Sequence, residues 1–203
     1  MAQSPDSDPA CGTAAGAHLA GREIIVGVAG GIAAYKAAVL TSQLVQAGAG
    51  VTAVLTPAAR RFVGTATFAA LTGRPVATRV FDPQRFPLGA HFELAERADA
   101  IVVAPASADL LARMAAGIAD DLLATLLLCA ECPVLVAPAM NAAMWAKPAV
   151  QRNVGLVAAD GAVVVPPGVG WLSCRKQGAG RMAEPDAIAA ALAGVLAGRP
   201  RRS

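Results

Sequence analysis

Short apolar runs alternate with longer helix-like stretches along most of the chain. The runs are rich in Val, Ile and Ala, as is typical of buried strands, and they read EIIVGVAG, VTAVLT, DAIVVAPA, CPVLVAPA and AVVVP. Helical character is found in the stretches 32–48, 57–73, 107–117, 120–130 and 185–198. Such an alternation predicts a parallel sheet covered on both faces, that is, an α/β doubly wound, flavodoxin- or Rossmann-like three-layer sandwich.

The same pattern gives the expected domain boundaries. Residues 1–21 are rich in small and polar types and are expected to form a disordered N-terminal tail. One domain is expected over 22–198, and a short basic tail over 199–203. Residues 168–185 are long for a connection and lack an apolar period, so we expect them to be either disordered or a functional flap.

Composition narrows the classes of function. The hydrophobic fraction is 56% and the charged fraction 15%, which suggests that copies of the chain cover part of its surface. A net charge of +3 is too small to indicate nucleic-acid binding. The longest apolar run is far shorter than a bilayer requires, and the first 20 residues lack the basic start of a secretory signal. We therefore expect no membrane or nucleic-acid partner, a cytoplasmic location and reduced cysteines.

Candidate ligand-binding residues follow the predicted strands, because ligands of doubly wound sheets bind at the carboxyl ends of the strands. The first strand leads into GGIAAYK, whose glycines would let an anion approach the start of a helix, although a tight turn explains them equally well. This string is neither a Walker loop nor GxGxxG, which disfavours ATP and NAD. Ser107 and Asn141 have two interpretations. Each is either a helix cap with no further role, or a ligand-binding residue, in which case Ser107 helps to hold a phosphate and Asn141 offers its amide to a carboxylate.

The titratable side chains give two further candidates. His91 is the sole imidazole of the predicted domain and stands at the start of a predicted helix, in either a structural or an acid–base role. Cys174 lies in the predicted flap beside two cationic residues, which favours the thiolate and makes it a candidate proton donor or nucleophile. Cys129 and Cys132 form a CxxC at a helix end, and we interpret both as buried core thiols. No metal site is expected, since no second histidine or paired cysteine stands at ligand spacing.

Taken together, these residues resemble the flavin-containing cysteine decarboxylase family, and in particular its bacterial members that act on phosphopantothenoylcysteine. The resemblance runs from about residue 22 to 185. It is carried in order by GGIAAYK, FVGTATFAALTGRPV, HFELAERADAIVVAPASADLLARMAAGIADDLLAT, PAMNAAMW and CRKQGAGRMAEP. Each string alone is unspecific, but their joint occurrence is highly specific.

The resemblance also implies which residues form the active site. It implies catalytic roles for His91, Asn141 and Cys174, with Asn141 holding the substrate carboxylate and Cys174 donating a proton. It implies FMN as the cofactor, bound by Gly30, Gly31, Ile32, Thr56, Ser107, Ala108, Asp109, Leu110 and Ala139. It implies substrate contacts from Asn141, Met144, Ser173, Gly180, Arg181 and Met182. It also implies a homotrimer or a trimer-based dodecamer, with the flavin near a subunit interface.

The implied reaction converts 4'-phosphopantothenoylcysteine to 4'-phosphopantetheine in coenzyme A biosynthesis. FMN oxidises the thiol to a thioaldehyde, CO₂ leaves to give an enethiolate, and reduced flavin and a proton complete the product. The chain shows no synthetase segment, so cysteine ligation is expected on another chain.

Three positions depart from the family pattern. Gly31 stands where serine is common, Asp109-Leu110 replaces the Asn-Thr of some relatives, and Arg175-Lys176 replaces a usual Gly-Asp. The last change inverts the charge beside Cys174, which leaves the closure of the flap and the identity of the substrate open.

Three alternatives stay open. A peptidyl-cysteine decarboxylase stops at the enethiol, and an intact Cys174 argues against it. A flavin prenyltransferase would leave the His91, Asn141 and Cys174 set without a task. A non-catalytic FMN-binding regulatory subunit would be favoured by loss of His91 or Asn141, and both are present.

Overall fold

The computed structural model describes residues 18–171 and 175–201, and a five-stranded parallel sheet forms their centre. The strands are β1 (Glu23–Val28), β2 (Gly50–Leu55), β3 (Ala100–Ala106), β4 (Val134–Pro138) and β5 (Val163–Val164). Their order in the sheet is β2-β1-β3-β4-β5, and every neighbouring pair is parallel. The predicted α/β doubly wound fold is confirmed.

Helices cover both faces of this sheet. They are α1 (Ala34–Gln46), α2 (Thr65–Thr72), α3 (Ala90–Arg97), α4 (Ala108–Ala116), α5 (Leu122–Cys129), α6 (Ala142–Trp145), α7 (Pro148–Ala159) and α8 (Pro185–Leu196). The predicted stretch 57–73 divides into a 3-10 turn at Ala59–Arg61 and α2, with Gly64 in extended conformation between them. Helix α7, which was not predicted, is held to the core by Val157.

Two apolar cores lie on the two faces of the sheet. Alternate residues of β1 face opposite ways: Ile24 and Val26 pack with α1, α2 and α8, while Ile25 packs with α3, α4, α5 and α7. Gly27 lets α5 approach the sheet closely, since a Cβ there would lie 2.6 Å from a methyl carbon of Leu123. The three-layer arrangement follows from this alternation.

The two ends of the described chain pack together. Leu19 is 2% exposed and belongs to the core on the α1 side, although the predicted domain begins only at Arg22. The buried Arg22 pairs with Asp99 at 3.1 Å and donates a hydrogen bond to the carbonyl of Pro200 at 2.8 Å. Residues on both sides of the predicted boundaries therefore take part in the fold, while residues 1–17 lie outside the described range.

The segment expected to be disordered or a flap contains an antiparallel hairpin of β6 (Gly168–Trp171) and β7 (Gln177–Arg181). Its predicted residues Ser173 and Cys174 lie outside the described residues.

The prediction of two buried thiols at the end of α5 is wrong for Cys129. Cys132 is buried, but Cys129 is exposed. Burial in this helix ends at Leu126, and its last turn, which includes the exposed Leu128, faces solvent in the single chain.

No helix among the described residues has the length and apolar character needed to cross a membrane.

Candidate active site

A cavity of about 690 Å³ opens at the carboxyl ends of β1, β2, β3 and β4. Its position is fixed by topology: the chain leaves β1 toward β2 on one side and returns through β3 on the other, which opens a crevice between β1 and β3. The volume lies within the range of ~300–1,000 Å³ that is usual for small-molecule sites.

One wall is the loop between β1 and α1. Gly30 is needed for close approach, because a Cβ there would lie 2.5 Å from the Cβ of Ala58. Gly31 faces open space, with no atom within 4 Å of the Cβ position. Helix α1 has no side-chain cap at Ala33 and no acidic residue in its first turn. Two backbone N–H groups at this helix start are already used, since Ala34 donates to the Gly31 carbonyl at 3.0 Å and Lys36 donates to the Ala33 carbonyl at 2.9 Å. The positive end of the helix dipole, which no acidic side chain compensates, is what favours an anion here.

The ends of β2 and β3 form the neighbouring wall. The hydroxyl of the buried Thr56 accepts a hydrogen bond from the Ala59 N–H at 3.1 Å and shapes the turn that carries Ala58. The Ser107 hydroxyl caps α4 by accepting from the Leu110 N–H at 3.2 Å, as predicted from the sequence. Leu110 itself is fully buried and does not line the cavity.

Asn141 closes the end of β4. Its Oδ1 accepts a hydrogen bond from the Ala143 N–H at 2.7 Å, so it caps the short helix α6. The group left for a ligand is the amide NH₂, which is only a donor. A donor at the rim of the cavity suits a carboxylate and fits the predicted role of Asn141.

The hairpin β6–β7 covers the far side of the cavity. The Met140 N–H donates to the Gly180 carbonyl at 2.9 Å, which joins β7 to the end of β4. Gly180 has φ +125°, and a Cβ there would lie 2.3 Å from the Met140 oxygen, so only glycine fits. This contact places Gly180, Arg181, Met182 and Trp171 on the cavity.

The charged side chains of the cavity are held in two ion-pair networks. Lys36 Nζ lies 2.9 Å from both carboxylate oxygens of Glu184, and Arg181 Nη2 lies 2.9 Å from one of them. On the opposite side Arg113 pairs with Asp109, with Asp120 at 2.6 Å and with Asp121 at 2.9 Å. Burial alone would lower the pKa of Arg113, but hydrogen bonds to Asp120, Asp109 and Asp121 raise it above its ordinary value.

The structure brings most of the predicted site residues together. The predicted residues that line the cavity are Gly30, Gly31, Ile32, Thr56, Ser107, Ala108, Asp109, Ala139, Asn141, Met144, Gly180, Arg181 and Met182. His91 does not line the cavity of the single chain: it lies in the first turn of α3, on the opposite helix layer from α1. Its Nδ1 is buried without a hydrogen-bond partner among the described residues.

The charged residues Lys36 and Arg113 and the aromatic residues Tyr35 and Trp171 also line the cavity but were not predicted. Lys36 is part of the string GGIAAYK and lies in the first turn of the predicted helix, where the helix dipole disfavours a cation. A lysine at such an unfavourable position is the signal that could have identified it as a site residue.

Comparison with known proteins gives three kinds of similarity. A family model described as Flavoprotein matches residues 13–197. The coenzyme A biosynthesis bifunctional protein CoaBC of Mycobacterium bovis is 52% identical over 167 residues, which is 82% of this chain and 40% of that protein. The chain thus spans about 40% of the length of this curated relative.

Two solved structures have the same fold over nearly their whole length. The FMN-dependent cysteine decarboxylase SpaF is 35% identical with a TM-score of 0.74, covering 87% of this chain and 99% of SpaF. A PPC decarboxylase cysteine-to-serine mutant, complexed with pantothenoylaminoethenethiol, is 27% identical with a TM-score of 0.75 and covers 85% of this chain and 96% of that one.

Proposed function

The chain belongs to the flavoprotein family, and from this premise we propose that it is an FMN-dependent carboxy-lyase. Its reaction converts 4'-phosphopantothenoylcysteine to 4'-phosphopantetheine in coenzyme A biosynthesis, in the cytoplasm. One observation carries the proposal: the predicted residues that the structure describes, apart from His91 and Leu110, line one cavity at the switch point of the sheet. The naming of the curated relatives as coenzyme A biosynthesis proteins supports the choice of substrate.

The residues of the cavity suit FMN. A phosphate suits the positive end of the α1 dipole, which no acidic side chain compensates, and the Ser107 turn, where the hydroxyl still has its O–H donor. Gly30 permits close packing against Ala58, and Gly31 leaves open space where a side chain would reduce it. The cavity lining is mainly apolar and small, as a planar ring requires.

When bound, FMN supplies the two-electron oxidation of the substrate thiol that allows CO₂ to leave, and it later returns those electrons. The protein holds the substrate. The Asn141 amide donates to the substrate carboxylate in the ground state and releases it as CO₂. Cys174, which lies outside the described residues, is the proposed proton donor, and Arg181, Met182, Gly180 and Met144 contact the rest of the substrate, together with Ser173.

We propose that the active unit is a homotrimer, alone or within a dodecamer, and that His91 of a neighbouring copy completes each site. The exposed side chains of Ile32, Tyr35 and Val39 form a stripe at helical spacing beside the cavity. Leu88 and Phe92, which flank His91, are exposed as well. These two apolar surfaces lie on opposite layers of the fold, so they can meet head to tail in a closed ring.

Replacing Val39 by glutamate is expected to break the assembly, because a charge would be buried in the stripe without a partner. Light scattering should give a multiple of three chains for the wild type and one chain for Val39→Glu. Leu156→Glu on α7 is the matched control, since Leu156 is similarly exposed but lies away from the stripe. A wild type that stays monomeric at micromolar concentration would contradict the proposed trimer.

The proposed reaction is tested by isolating the protein and adding phosphopantothenoylcysteine. We expect yellow protein that releases FMN on denaturation, evolves CO₂ and forms phosphopantetheine. A cysteine-terminated peptide is the comparison substrate, and turnover of the peptide alone would make the protein a peptidyl-cysteine decarboxylase. Colourless protein that does not take up FMN would overturn the proposed function.

A further inference from the structure

Glu184 joins three elements around the cavity. It is the N-cap residue of α8, and its carboxylate accepts hydrogen bonds from Lys36 on α1 at 2.9 Å. The same carboxylate pairs with Arg181, the last residue of β7, at 2.9 Å. Lys36 and Arg181 both line the cavity, whereas Glu184 does not.

Lys36 is an unusual residue for its position. It is only 6% exposed, and lysine is seldom buried unless it is paired. It also lies in the first turn of α1, where the helix dipole disfavours a cation. The stability of the helix therefore does not explain this lysine, while its pairing with Glu184 makes its burial tolerable.

The charges of the cavity are unequal on its two sides. Within the described residues, Lys36 and Arg181 share one carboxylate, which leaves that side with an excess positive charge. On the other side Arg113 is shared by three carboxylates, which leaves an excess negative charge. An anionic group that enters the cavity is thus drawn to the side of Arg181.

We propose that Arg181 receives an oxyanion group of the substrate and that Glu184 is the positioning residue that holds its guanidinium at the cavity wall. The proposal rests on the proposed function for the identity of the substrate, which carries both a carboxylate and a phosphate. A guanidinium held on one edge by a carboxylate still presents N–H donors to a second oxyanion, and that geometry suits both groups.

Lys36 extends this arrangement to lower pH. Its hydrogen bonds hold the pKa of Glu184 below the usual value, so the carboxylate stays charged and is neutralised only in acid. The link to Arg181 is therefore present above the ordinary glutamate range and is lost as the pH falls through the lowered pKa.

Glu184→Gln tests the proposal, because the amide keeps the shape and removes the charge. We expect KM for phosphopantothenoylcysteine to rise about tenfold with little change in kcat, and Arg181→Gln to do the same. Glu184→Asp keeps the charge and should restore KM to within about threefold of wild type. Asp186→Asn is the matched control: Asp186 lies on the same helix and contacts α1 through Gln43, but it does not line the cavity.

Pantothenoylcysteine, which lacks the phosphate, identifies the oxyanion. An increase in KM confined to the phosphorylated substrate assigns Arg181 to the phosphate, and an equal increase for both substrates assigns it to the carboxylate. Unchanged KM values for both Glu184→Gln and Arg181→Gln would overturn the proposal. A KM for Glu184→Gln that is no higher than the KM for Asp186→Asn would overturn it as well. If Glu184→Gln does not fold, Arg181→Gln and Glu184→Asp decide the matter.

Calorimetric titration of inorganic phosphate into the FMN-loaded protein gives a readout without turnover. Binding should weaken about tenfold in Glu184→Gln and stay unchanged in Asp186→Asn. Equal binding by both variants would contradict the proposal even if the enzyme is active. Conversely, a wild type that binds phosphate through Arg181 but turns over neither substrate would contradict the proposed function alone.

Discussion

Replacing Asn141 by aspartate is expected to abolish decarboxylation while FMN stays bound. Aspartate keeps the helix cap, because a carboxylate oxygen can accept from the Ala143 N–H as the amide oxygen does. What changes is the other end of the side chain, where a donor becomes a second negative charge facing the substrate carboxylate. Like charges held together in a cavity cost several kcal/mol, so the rate of CO₂ release should fall by at least about a thousandfold.

The measurement for Asn141→Asp has two parts. Flavin absorbance reports whether the cofactor is retained, and CO₂ release reports the chemistry. Ser107→Asp is a useful comparison, since it also replaces a helix cap by aspartate but places the charge where the cofactor phosphate is proposed, and it should lose flavin instead. Activity of Asn141→Asp within tenfold of wild type would reduce Asn141 to a helix cap.

Replacing His91 by asparagine is expected to leave a folded, FMN-binding protein whose turnover is at least a hundredfold slower. Removal of a positioned acid–base group commonly costs ~10²–10⁴ in rate. His91 lies in the first turn of α3, and its Nδ1 has no hydrogen-bond partner among the described residues, so the smaller asparagine removes no hydrogen bond of that atom. Turnover close to wild type would leave His91 with a structural role only.

Mixing two inactive variants decides which chain supplies His91. His91→Asn and Asn141→Asp chains are unfolded, combined in equal amounts and refolded together. If the two residues come from different copies, each trimer that contains both variants has one site with both native residues. Random assembly would make about a quarter of the sites intact. Mixing should therefore restore about a quarter of the wild-type activity, whereas no recovery would show that one chain supplies both residues.

Much of the fold follows from local pattern. The five apolar runs became the five strands of the sheet, and the helix after β1 was predicted within two residues of its observed ends. Helix α7 was missed because its interior contains Gly155 and its apolar face buries only Val157. The hairpin β6–β7 was not predicted as strands, since its glycine-rich residues have no alternating pattern and are fixed by the contact of Gly180 with Met140.

The caps of the site were also visible in the sequence. Ser107 and Asn141 each follow an apolar run and precede a helix, and both accept the backbone hydrogen bond expected of a cap. Local pattern therefore suffices to predict the strands, the helix starts that follow them, and the edge of the sheet at which a ligand would bind, because these depend on neighbours close in the chain.

Which charges meet at that edge depends on how distant segments of the chain pack. Lys36 and Glu184 are separated by 148 positions, and neither residue type indicates a partner at that distance. The three carboxylates around Arg113 and the separation of His91 from the cavity likewise depend on how the layers pack. Ion pairs between distant segments form only after the apolar core has fixed the helices in place, so their pairing is a property of the packed fold and not of any local pattern.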